Sequence, residues 1–158
     1  MRKMTRLVIL IFMIYPLISC KKKPVADVAV ETGVMLSVKS NAQTDLLAPG
    51  AANGFNEQNI QVFNLINGTY QPVNKPSMDL PKNIKIYKKP GSTEYQLELF
   101  INTEVDKSGI SYTLIQFGEN KPDTVKAEVV KKGGSIGLGK VWLNDTQIDR
   151  FTPSIVIK

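Results

Sequence analysis

The chain has 158 residues, with 20 Lys plus Arg against 14 Asp plus Glu, one Cys and no His. The absence of His removes the commonest acid/base group of neutral pH and the commonest zinc ligand, and the one thiol lies in the N-terminal leader. Serine, cysteine and metal hydrolases of the usual designs are therefore nearly excluded, and neither a cofactor nor a metal is expected.

Residues 1–20 read MRKMTRLVILIFMIYPLISC. Arg2, Lys3 and Arg6 form a basic start, and Leu7 to Ile18 form an apolar run too short for the roughly 20 residues of a membrane-spanning helix. Residues 1–19 are expected to be a signal peptide. The segment Leu17-Ile18-Ser19-Cys20 resembles the lipobox of bacterial lipoproteins. That resemblance implies cleavage before Cys20, a diacylglycerol thioether on its sulfur and an acyl chain such as palmitate on its amine. Two or three chains anchor a protein stably where one is marginal.

Loss of Arg2, Lys3 and Arg6 with the leader lowers the net charge from +6 to about +3, so basicity makes no case for nucleic acid. Residues 20–27 read as the lipidated Cys and a short tether, with Lys21, Lys22 and Lys23 close to the membrane surface. In lipoproteins of this kind an Asp after the Cys signals inner-membrane retention, and an acidic cluster promotes surface export. Lys21 lacks the first and the tether lacks the second, so an outer-membrane location facing the periplasm is favoured over the surface.

Residues 28–158 read as one domain. Val28-Ala29-Val30 and Gly33 to Lys39 suggest an opening strand, with Val34, Leu36 and Val38 alternating with polar neighbours. Residues 40–59 form a long connection anchored by Leu46, Leu47 and Phe55. Ile60 to Leu65 and Tyr70 to Val73 flank Asn67-Gly68, the strongest local hairpin signal in the chain. Ile84 to Tyr87, a turn at Pro90-Gly91 and Tyr95 to Ile101 repeat the pattern. After the turn from Asp106 to Gly109 come Ser111 to Phe117, Asp123 to Val130 and, beyond Gly133-Gly134, Ile136 to Leu143. Ile148 and a short terminal strand at Ile155 to Ile157 complete the series.

No stretch carries a capped apolar stripe of helical period. Short strands joined by tight turns predict an all-β fold, an antiparallel immunoglobulin-like sandwich of about seven or eight strands, with a small open barrel as the alternative.

The acidic residues, among them Asp45, Glu98, Asp123 and Asp149, are scattered and are expected to be solvated surface charges. A carboxylate hydrolase would need two of them facing one cleft. Asp106-Lys107-Ser108-Gly109 and Asn144-Asp145 offer oxygen ligands but lack the dense spacing of a calcium loop, so both are expected to be turns. Gly133 to Gly139 lacks the Lys and Ser/Thr of a phosphate loop. Core packing is the default for Phe and Trp in a domain of this size. Tyr70, Tyr112 and Trp142 are the candidate binding residues, although alternation cannot assign a face to Trp142 between Val141 and Leu143. Asp123-Thr124-Val125 resembles the Asp-Thr/Ser-apolar motif of Bacteroidetes O-glycosylation, which makes Thr124 a candidate acceptor.

Asp45-Leu46-Leu47, Ile60-Gln61-Val62, Pro81-Lys82-Asn83, Asp123 to Ala127 and Lys140 to Asn144 together resemble small envelope lipoproteins of Bacteroidetes. The resemblance spans most of the mature chain. Around the last Asn those proteins more often carry Tyr and Gly, where this chain has Leu143 and Asp145. The resemblance implies a β-rich envelope protein and transfers no catalytic residue. The expected function is a non-catalytic, lipid-anchored structural or protein-interaction module, partnered with the membrane through its anchor. A glycan- or peptide-binding lipoprotein is the alternative, and a carboxylate-based hydrolase ranks third.

Overall fold

The computed structural model describes residues 28–158; the signal peptide, Cys20 and the tether lie outside the described residues. These hold no helix and ten strands, β1 (Gly33–Lys39), β2 (Ile60–Ile66), β3 (Thr69–Pro72), β4 (Ile84–Lys88), β5 (Tyr95–Phe100), β6 (Ile110–Phe117), β7 (Asp123–Lys132), β8 (Ser135–Leu143), β9 (Thr146–Ile148) and β10 (Ser154–Ile157). Three of the connections are two-residue turns with positive φ at both central residues, the geometry that matches strand twist in a hairpin. They are Asn67-Gly68 (50° and 81°), Gly133-Gly134 (59° and 87°) and Asn144-Asp145 (47° and 70°). Asn and Asp tolerate this region far better than β-branched residues do, which is why the third turn forms without glycine.

The strands make two sheets, one ordered β10-β1-β5-β4 and the other β3-β2-β6-β7-β8-β9. Every neighbouring pair is antiparallel except β1 and β10, which run parallel with Leu36 opposite Ser154 and Lys39 opposite Ile157. Alternation places Val34, Leu36, Val38, Leu97 and Leu99 on the inner face of the smaller sheet. Ile60, Val62, Ile115, Phe117, Val125, Ala127 and Val141 line the inner face of the larger one, and both rows belong to one buried cluster. Fully burying side chains of this kind stabilises the fold by about 1.5–3 kcal/mol each. The long connection is pinned where the sequence placed its anchors: Leu46 and Leu47 are buried, and the Phe55 ring lies 5.4 Å from that of Phe117. Asp45 ties it down further, its carboxylate accepting the N–H groups of Leu47 at 2.9 Å and Tyr95 at 2.8 Å.

Four expectations need correction. The strands number ten among the described residues, not seven or eight. The opening strand starts at Gly33; Val28 and Val30 are exposed and run beside β8, where Ile136 N–H donates to Ala29 C=O and Glu31 N–H to Ile136 C=O. Phe151 is 71% exposed, because the Asp149 carboxylate captures its N–H in the β9–β10 connection and the Arg150 guanidinium stacks 4.2 Å above its ring. Asp123 is buried, not solvated, at the inward end of the row that continues into Val125 and Ala127.

The turn between β5 and β6 shows what Asp106 does. One of its carboxylate oxygens accepts the Ser108 hydroxyl at 2.6 Å, the Ser108 N–H at 2.8 Å and the Ile110 N–H at 3.1 Å. The Ser108 hydroxyl first, and the Ile110 N–H next, hold this carboxyl below the ordinary value of 3.8. A carboxylate with a lowered folded pKa adds stability that is fully present above its unfolded pKa and lost as pH falls through the folded one. Asp106→Asn is therefore expected to lower Tm modestly at pH 7, the effect being small because the group is exposed to solvent, and to converge with the parent in acid, so that its fall of Tm below about pH 4 is flatter. Thermal melts of both proteins from pH 2 to pH 7 check this; parallel acid limbs would refute it.

Candidate functional face

Alternation in β6, β7 and β8 fixes what points away from the core. Thr113, Val125, Val141 and Leu143 are buried, so Tyr112, Lys126 and Trp142 stand on the opposite, outward face of the larger sheet. They are neighbours across it: Tyr112 pairs with Lys126, Lys126 with Trp142, and Trp142 with Gln147 of β9. Tyr70 of β3 pairs with Leu65 of β2 on the same face and is 41% exposed. Pro72, Phe63, Leu114 and Thr124 form the adjacent row. Side chains directly opposite on neighbouring strands lie within contact range, so the two rows make one continuous surface.

The three aromatics singled out in the sequence thus share one face. Trp142 and Tyr112 are half-buried and flank Lys126. An open groove of about 580 Å³ runs from Tyr70 and Tyr112 past Thr124 and Lys126 to Asn144 and Asp145. The Lys126 ammonium pairs with the Asp145 carboxylate, and this hydrogen bond holds it above the usual lysine range. The positive-φ turn at Asn144-Asp145 is what brings that carboxylate over the strand. A charge pair between two aromatic rings makes the centre of the face amphipathic but close to neutral.

Thr124 lies in the middle of this sheet, half-buried, with its N–H donating to the Asn144 side-chain oxygen at 2.9 Å. The Asn144 side chain thus bridges from its turn to β7, and its side-chain N–H donates to Asp123 at 2.6 Å. Behind the groove the second Asp123 oxygen meets the Lys158 ammonium at 2.5 Å. Sequence reasoning missed both Lys126 with Asp145 and Asp123 with Lys158. A signal existed for Asp123, because period-two counting back from Val125 points it inward. None existed for the two partners, which come from remote positions. Among the described residues no group of three or more His, Cys, Asp or Glu is arranged to hold a metal ion.

The chain matches no protein-family model, no curated protein and no solved structure.

Proposed function

We propose that this is a non-catalytic lipoprotein of a bacterial envelope, anchored through Cys20 in the outer membrane and facing the periplasm, whose domain docks a partner protein on the outward face of its larger sheet. One observation carries the docking reading: Tyr70, Tyr112 and Trp142, far apart in sequence, stand on the same outward face, where Tyr70 and Tyr112 line a groove and Trp142 lies beside Lys126 of that groove. Tyr and Trp are enriched in interface centres, where they supply large contact areas at low entropic cost, and Phe63, Leu65 and Leu114 extend the apolar part of this surface. The fold supports an immunoglobulin-like reading, because the strand order β4-β5-β1 facing β3-β2-β6-β7 follows the order of that sandwich, with β10 occupying the place beside β1. The absence of His and the spread of the carboxylates support a protein without catalytic chemistry. A glycan on Thr124 would fill the groove, so modification and docking would exclude each other.

A photo-crosslinking residue placed at Tyr70 in cells is expected to capture a protein, whereas one at Lys85, exposed on the smaller sheet, is not. Trp142→Ala is expected to weaken the captured complex about 30-fold, the scale of an interface hot spot. Capture at both sites, or at neither, would sink the docking reading. The hydroxyl and amide groups of Thr124, Asn144 and Gln147 around the rings favour a second reading, a glycan stacked on the same face. Binding of an oligosaccharide that quenches Trp142 emission, without a protein cross-link, would select it. The anchor is tested separately: Cys20→Ser should abolish incorporation of an alkynyl fatty acid and release the protein from membranes.

A further inference from the structure

The inward row of β2 begins with Ile60 and Val62 and then turns polar at Asn64, while that of β6 runs back from Phe117 and Ile115 to Thr113 and Ser111. Polar side chains at core positions are costly unless paired, and departures from the apolar pattern concentrate where a protein does something other than pack. Here they are paired. Asn102, itself buried, donates its backbone N–H to the Thr113 hydroxyl at 3.0 Å, and that hydroxyl donates to the Asn64 side-chain oxygen at 3.3 Å. The Asn102 amide donates to the Leu65 carbonyl at 3.0 Å, and its oxygen accepts the Glu104 N–H at 3.0 Å. The result is a fixed polar floor.

Over this floor the two sheets part into a cavity of about 530 Å³, within the usual range of small-ligand sites. Its walls carry the carboxamides of Asn64, Gln71, Asn74 and Asn83, with Ile66, next on the inward row of β2, as an apolar wall. The side chains of Gln71, Asn74 and Asn83 make no hydrogen bond among the described residues, and Asn64 uses only its oxygen. The charged lining is one Lys75 and one Glu104, so the cavity favours neither an anion nor a cation.

We infer that this cleft is a binding site for a neutral glycan, separate from the aromatic face. A carboxamide offers two N–H donors and an acceptor oxygen side by side, which matches the paired donor and acceptor character of adjacent sugar hydroxyls. Three such groups without internal partners, with the free N–H donors of Asn64 beside them, are arranged for a ring bearing several hydroxyls and no charge.

The test titrates the full-length protein in detergent with neutral hexasaccharides (cello-, malto-, xylo-, manno- and chito-oligomers) by calorimetry, with polygalacturonate as the charged control. At least one neutral hexasaccharide is expected to bind and the polyanion is not. Gln71 and Asn74 are exposed, so the double variant Gln71→Ala, Asn74→Ala should fold normally and weaken binding at least tenfold. Trp142→Ala should leave binding unchanged, which separates this site from the docking face. The inference is overturned if no neutral hexasaccharide binds, if the double variant binds as the parent does, or if Trp142→Ala abolishes binding.

Discussion

Phe117→Ala is expected to bring the domain close to unfolding. Phe117 is completely buried at the end of β6, and its ring packs at 58° against that of Phe55 in the long connection. Truncating a buried Phe to Ala costs about 3–5 kcal/mol, the lost transfer free energy plus the cavity left behind. Against a total stability of about 5–15 kcal/mol this is a large fraction. A fall in Tm on the order of 15 °C should follow. Phe55→Ala should reproduce part of the loss, since Phe55 is only partly buried, and should expose residues 40–59 to proteolysis. Calorimetric melts of the two variants decide the matter; a change of less than about 1 kcal/mol in Phe117→Ala would mean that this end of the sandwich is not packed as described.

The second large effect concerns Asp123 and Lys158. Each side chain is only 10% exposed, the ammonium meets Oδ2 at 2.5 Å, and Oδ2 makes no other polar contact among the described residues. Taking two charges out of water is costly, and their attraction together with the Asn144 amide offsets that cost. Removing one partner strands the other. Asp123→Leu and Lys158→Met should each destabilise by about 3–5 kcal/mol, whereas the two combined should recover most of the loss. Urea denaturation of the four proteins gives the coupling directly. Strict additivity of the two single changes would show that the ion pair is not formed in solution.

The contrast between these sites shows what the sequence could carry. Period-two alternation with turn residues was enough to place nearly every strand, because each hairpin is specified locally, by Asn67-Gly68, Pro90-Gly91 or Gly133-Gly134. Residues 28–30 were misassigned because an apolar triplet reads alike whether it pairs within a sheet or lies along its edge. Trp142 was undecidable within Val141-Trp142-Leu143, and only the pairing of β8 with β7 turns it outward, opposite Lys126. The three aromatics were legible as candidates, but their convergence was not, since it depends on which strands are neighbours. Asp123 was legible in period but not in chemistry: an inward carboxylate reads as an error in the pattern until Lys158, a residue remote in sequence, supplies the countercharge. The polar floor under the cleft was hidden for the same reason, because Asn64, Asn102 and Thr113 belong to three separate segments.

The parallel pairing of β1 with β10 bears on how the domain comes to be folded. Gly33 to Leu36 emerge early and find β5 about sixty positions later, yet Leu36 to Lys39, on the opposite edge of β1, must wait for Ser154 to Ile157. Until then β1, with Leu36 and Val38 at the core, presents an open edge able to pair with a foreign strand. Contacts of such sequence separation slow folding toward the millisecond-to-second range of β-sandwiches. A chain that emerges from its N-terminus therefore spends its most aggregation-prone interval before its last strand arrives, and its folded yield should depend on chaperones that shield that edge.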